Sequence, residues 1–141
     1  MRVTFVDAGG WLSVIIRTDR YHVVGSQHYR QLLEQRVTVA TSDFVLDEVI
    51  TRLRYDVGHS VASQFIHLVR QAEEERVLHI LHVDQEVWYE AEELFLKYSD
   101  VKPSFTDCTS LVLLRRHAIE EVFGFDQHLC LAGCTVRPVT E

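Results

Sequence analysis

The stretch Ser104–Arg116, SFTDCTSLVLLRR, decides how the rest of the chain is read. It has the look of a helix start, since Ser, Thr and Asp are the usual residues at that position. The turns that follow are almost wholly apolar, which suits a helix packed deep against a sheet. Asp107 therefore needs an explanation. It either caps the helix or aims its carboxylate at something outside it. The choice depends on whether other isolated acids occupy comparable positions.

The surrounding sequence alternates between strand and helix patterns. RVTFVD (2–7) reads as a short buried strand, followed by a turn into a helix at GGWLSVIIRT (9–18). SQHYRQLLEQR (26–36) is helical, and VTVA (37–40) is a second strand. TSDFVLDEVITRLRYDVG (41–58) carries a cap signal at Thr41–Asp43 and a stop at Gly58. Its apolar residues Leu46, Val49, Ile50 and Leu53 fall at helical spacing. A further amphipathic helix spans 60–76, VLHILHV (77–83) is a third strand, and 85–99 is again helical. EVFGF (121–125) and CTVRPV (134–139) read as fourth and fifth strands. Strands alternating with helices imply an α/β fold whose parallel sheet is covered on both faces.

On this frame the acids take positions. Asp7 ends the first strand and Asp126 follows the fourth, and parallel sheets form ligand sites beyond such carboxyl ends. Glu48 lies off the apolar stripe of its helix, at about 100° per residue, and is free to face a crevice. Asp107 occupies the first turn of its helix. Each acid also has a plain reading, as cap, turn residue or solvated helix position. Their shared location at one sheet end favours a cluster. Clustered carboxylates repel unless protonated or bridged by cations, and an all-oxygen set suits Mg²⁺ or Mn²⁺.

Composition bounds the remaining possibilities. At 141 residues, 47% apolar and 25% charged, the chain is expected to be a single soluble domain spanning 1–141. Three cysteines are too few for a disulfide scaffold, and the apolar start is interrupted by Asp7 and too short to cross a bilayer. A cytoplasmic location without membrane association is expected. The net charge of −7 argues against broad binding of nucleic acid, unless the acids converge on cations. Of the 14 Lys and Arg only Lys97 and Lys102 are lysines, and Arg suits bidentate phosphate contacts. Arg52, Arg54, Arg115 and Arg116 lie on predicted helices near the acids; Arg52, Arg115 and Arg116 are the candidates for phosphate contacts, against a plain reading as solvated surface residues.

Weaker patterns carry less. Cys130, Cys134 and His128 lack a fourth zinc ligand at the usual spacing. His79 and His82 are three apart on a strand and face opposite ways. Trp11, Trp88 and Tyr89 read as core or interface residues. A receiver-like phosphotransfer domain would need a second acid beside Asp7 and a late Lys, and an Asp-nucleophile phosphatase would need Asp where Gly9 stands.

FVDAGGWLSVI, SDFVLDEVITRLR, SFTDC and VFGFDQHL follow one another in the order and spacing of a PIN domain, and the likeness covers essentially the whole chain. The chain resembles the PilT N-terminus-type ribonucleases, in particular the VapC-type toxins of toxin–antitoxin pairs. The resemblance implies a three-layer α/β/α sandwich around a mostly parallel sheet, with the first and fourth strands adjacent. It implies that Asp7, Glu48, Asp107 and Asp126 form an acidic quartet, both catalytic and metal-binding, that holds Mg²⁺ or Mn²⁺ for RNA hydrolysis. A homodimer and a small inhibitory antitoxin partner are implied as well. Two positions depart from the family pattern, where Gly9 and Gly124 replace hydroxyl residues. Loss of such orienting groups costs roughly 10- to 100-fold in metal affinity or activity, so a weakly active or non-toxin PIN module for RNA processing or binding is the alternative expectation.

Overall fold

A computed structural model describes residues 2–140. Five parallel strands form one sheet: β1 (Val3–Val6), β2 (Thr38–Ser42), β3 (Leu78–Leu81), β4 (Glu121–Phe123) and β5 (Thr135–Arg137). Their order is β3-β2-β1-β4-β5. The chain thus builds outward from β1 to β3, returns to the other side of β1, and continues to β5.

The helices are α1 (Ala8–Ile15), α2 (His22–Glu34), α3 (Asp43–Asp56), α4 (His59–Glu74), α5 (Gln85–Lys97) and α6 (Phe105–Arg116), with a short 3₁₀ segment at Gln127–Ala132. Parallel crossovers are right-handed, so the two outward connections put α1–α4 on one face and the return connection puts α5–α6 on the other. This is the expected α/β/α sandwich, with a sheet that is wholly parallel. The strand centre is accordingly dry: Thr4, Phe5 and Val6 are at most 1% exposed.

Helix α6 explains its own sequence. Every residue from Asp107 to Leu114 is buried. Leu111 and Leu114 join the main core, while Val112, Leu113 and Cys108 pack with Val87 and Ala91 of α5. Burying side chains of this size contributes about 1.5–3 kcal/mol each, which anchors the helix along its length. On the other face Gly10 lets α1 close onto β4, because a Cβ there would lie 2.5 Å from the Phe123 carbonyl oxygen. Any larger residue would push α1 away from the carboxyl end of the sheet.

Two helices differ from expectation at one end: the first stops at Ile15, short of the predicted Thr18. The second starts at His22, one turn before the predicted Ser26. The Asp19 side chain accepts from the Tyr21 amide at 2.8 Å, and the His22 amide donates to the Asp19 carbonyl at 3.0 Å. That turn bends the chain into α2 early, a local effect that apolar periodicity does not register.

Candidate active site

The reversal of strand order falls between β1 and β4, and Asp7 leaves β1 there. The Asp7 amide donates to the Phe123 carbonyl at 2.9 Å, which ties the two strand ends together. Asp7 occupies the N-cap of α1, yet its carboxylate makes no hydrogen bond of capping geometry. The plain capping reading therefore does not account for it. Across the same end, Thr41 accepts from the Trp11 indole at 3.1 Å and donates to the Val6 carbonyl at 2.9 Å. This buried link holds α1, β1 and β2 in fixed relation.

Asp107 is both a cap and a site residue. Its amide donates to the Ser104 hydroxyl and its carboxylate accepts from the Ser104 amide, each at 3.0 Å. The same carboxylate lies 3.5 Å from Nδ1 of His128. Asp126 opens the 3₁₀ segment, accepts from the His128 amide at 2.9 Å, and sits 3.0 Å from His128 Nδ1. Glu48, half-buried on α3, lines the same cleft, which its position off the apolar stripe allows.

The four acids line one cleft of about 570 Å³, together with Gly9, Asp19, Tyr21, Arg52, Lys102, Ser104, Phe125 and His128. Its electrostatics are strained. Burial pushes the Asp7 carboxyl up to about 7, the nearby Ala8 amide offsets part of that, and the charges of Asp107, Glu48 and Asp126 raise it further. Burial raises Glu48 as well; Arg52 opposes the shift, while Asp107 and Asp126 add to it. Asp107 is likewise raised by burial, with Ser104 opposing and Asp126 reinforcing the shift. A group of acids that resist ionisation together is a place where a divalent cation is stabilised. The donors fit such an ion: one ligand atom each from Asp107, Asp126 and His128 lie within 4.8 Å of one another.

The arginines divide. Arg52 lines the cleft, whereas Arg115 and Arg116 lie at the opposite end of α6 from Asp107, about 12 Å away at 1.5 Å per residue. Arg116 pairs with Glu86 and Glu90 of α5. Arg54 contacts His59 at 3.1 Å. Three contributors escaped the sequence reading. In the sequence His128 reads only as a zinc ligand beside cysteines, although its place two residues after Asp126 is the available signal. Lys102 and Ser104 flank Pro103 just before α6, and no periodic pattern marks that loop. Among the described residues no cysteine joins a ligand group; Cys134 donates to the Ile119 carbonyl and Cys130 to Gln127. Trp11 is core, while Trp88 and Tyr89 are exposed on α5.

The PIN domain family model matches residues 4–133. The chain belongs to the PIN domain family. It is 29% identical over 137 residues to the 23S rRNA-specific endonuclease VapC20 of Mycobacterium tuberculosis, in both strain H37Rv and strain CDC 1551. That match covers 95% of this chain and 98% of the relative. The solved structure of M. tuberculosis VapC20, described as a sarcin–ricin loop cleaving toxin, superposes with a TM-score of 0.82 at 27% identity. It covers 96% of this chain and 99% of that one.

Two glycines at the site of this PIN domain have different meanings. A Cβ at Gly9 would meet nothing nearer than Phe125 at 3.8 Å, an ordinary contact, so a side chain can begin there without displacing the backbone. A Cβ at Gly124 would lie 3.1 Å from Asp7 Cβ, so Gly124 is part of how closely Asp7 and β4 approach.

Proposed function

We propose that this PIN protein is a divalent-metal-dependent endoribonuclease and the toxin of a toxin–antitoxin pair. The observation that carries the reading is the convergence of Asp7, Glu48, Asp107 and Asp126, each from a different segment, in one cleft at the switch point of the sheet. Asp7, Asp107 and Asp126 would hold Mg²⁺ or Mn²⁺, with Glu48 at the side and His128 as a nitrogen donor within reach. When bound, the ion supplies charge neutralisation at the scissile phosphate and a more acidic water. The protein contributes rigid placement. Asp7 is fixed by the β1–β4 hydrogen bond and Asp107 by its cap. Glu48, half-buried on α3, would orient the attacking water and accept its proton. Arg52 and Lys102 rim the cleft and bind phosphates flanking the cut, which resolves the conflict between a net charge of −7 and an RNA substrate.

The whole chain acts as one catalytic unit, as a cytoplasmic homodimer held in check by a small antitoxin; among the described residues no helix is long and apolar enough to cross a membrane. The activity printed for VapC20 makes 23S rRNA, and its sarcin–ricin loop in particular, the first substrate to try. Purified protein is incubated with ribosomal RNA and with a sarcin–ricin loop oligonucleotide, in Mg²⁺, Mn²⁺ or chelator. Discrete metal-dependent cuts are expected, absent in Asp7→Asn. Equal cutting by wild type and Asp7→Asn would sink the assignment. Gly9→Ser, which the space allows, should raise activity if the missing hydroxyl limits the enzyme.

A further inference from the structure

Tyr21 and Phe125 form a stacked pair at the edge of the acidic cleft, with ring centroids 4.1 Å apart and planes 7° from parallel. Both rings are only half-buried, although the adjacent Phe123 is fully buried in the core. An aromatic pair kept at the wall of a charged cleft, instead of being sunk into the sheet, is an informative placement. Two features hold it there. The Asp19 carboxylate accepts from the Tyr21 amide at 2.8 Å, which fixes the start of α2. Arg20, exposed and without a carboxylate partner among the described residues, places its guanidinium carbon 5.1 Å from the centre of the Tyr21 ring.

Phe125 immediately precedes Asp126, so the aromatic wall and a candidate ligand carboxylate share one stretch of backbone. We propose that Tyr21 and Phe125 are a stacking platform for the nucleobase next to the scissile phosphate, with Arg20 binding that nucleotide's phosphate. This rests on the nuclease reading of the same cleft. Stacking is tolerant of base identity, because every base presents a π face, so the platform acts as a positioning device. It selects unpaired over paired nucleotides, since a base must leave its helix to reach it.

The test uses Asp7→Asn protein, which should bind without cutting, and a single-stranded oligoribonucleotide carrying 2-aminopurine at successive positions. At one or two positions binding should quench the fluorescence, and an abasic nucleotide there should weaken binding. Tyr21→Leu and Phe125→Leu should each lose the quench and about 10-fold in affinity with an unchanged salt slope, whereas Tyr21→Phe should keep both. Arg20→Gln should instead lower the salt slope by about 1. Melting temperature and Mn²⁺ binding, unchanged in the leucine variants, would show that the cleft is intact. Quench and affinity that survive both leucine substitutions would overturn the proposal, as would a Tyr21→Leu protein that binds RNA normally but escapes its antitoxin, since the rings would then serve a protein partner. A wild type that fails to cut any RNA strikes the nuclease reading, while one that cuts normally without the quench strikes the platform alone.

Discussion

The two ends of the β1–β4 pair treat their acids in opposite ways. At the amino end, Glu121 is matched: Arg2 approaches its carboxylate at 3.0 Å and the Thr4 hydroxyl donates to it at 3.0 Å. At the carboxyl end, Asp7 is buried against three more acids, with Arg52 and Lys102 on the rim of the cleft. The same two strands thus carry a neutralised edge and a charged one. A fold that needs only stability has no use for the second, since burying unpaired carboxylates raises their pKa and costs free energy. We infer that the unmatched end is the working end.

The comparison breaks most sharply with Asp7→Asn. Cleavage should fall by more than about 100-fold, because even outer partners of metal ligands cost 10- to 100-fold. The same variant should melt higher than wild type in chelator, since one repelling buried charge is gone. Glu121→Gln, read in the same cleavage assay, should cut at the wild-type rate.

A pH titration comes next in size. Folded Asp7 keeps its proton up to about 7, whereas the unfolded chain releases it near 3.8. Between these values the folded state binds more protons, so stability falls as pH rises from about 4 to 7. The metal-free melting temperature should drop across that window, and saturating Mg²⁺ should flatten the decline. A flat metal-free profile would show that Asp7 ionises normally. The matched end predicts no such decline.

Arg52 offers a smaller effect. Arg52→Ala should weaken RNA binding and lower its salt slope by about 1, while Arg115→Ala and Arg116→Ala, at the far end of α6, should leave the slope unchanged in the same binding titration. The smallest change belongs to the neutral edge. Glu121→Ala should cost about 0–1 kcal/mol in denaturant melts, as expected for a partly exposed ion pair, with cleavage untouched.

The strands and the acids were legible because their signals are local. A run such as VTFV or VTVA, bounded by turn residues, has one natural reading, and an acid directly after it falls at a strand's carboxyl end. Glu48 was legible through helical phase alone. Less local features were not. The 3₁₀ segment after Asp126 that aims His128 at the cluster depends on a turn just two residues long. The same is true of the early start of α2, which places Tyr21 beside Phe125. Arg115 and Arg116 show the reverse error of distance: they follow Asp107 closely in sequence, but two turns of rigid helix carry them away from it.

By itself, then, the sequence determined the alternation of strands and helices, the helical burial of Leu111–Leu114, and the identity of the four acids. Periodicity and turn chemistry act within a few residues and need no knowledge of the partner segment. Only the tertiary structure decided that the acids share one cleft, which cations stand beside them, and which rings line its wall. Those facts depend on the order of strands in the sheet and on close approaches such as Gly10 against the Phe123 carbonyl. Long-range packing sets such distances, and it is the burial and mutual repulsion created by that packing, absent from any single segment, that hold Asp7, Glu48 and Asp107 back from ionising.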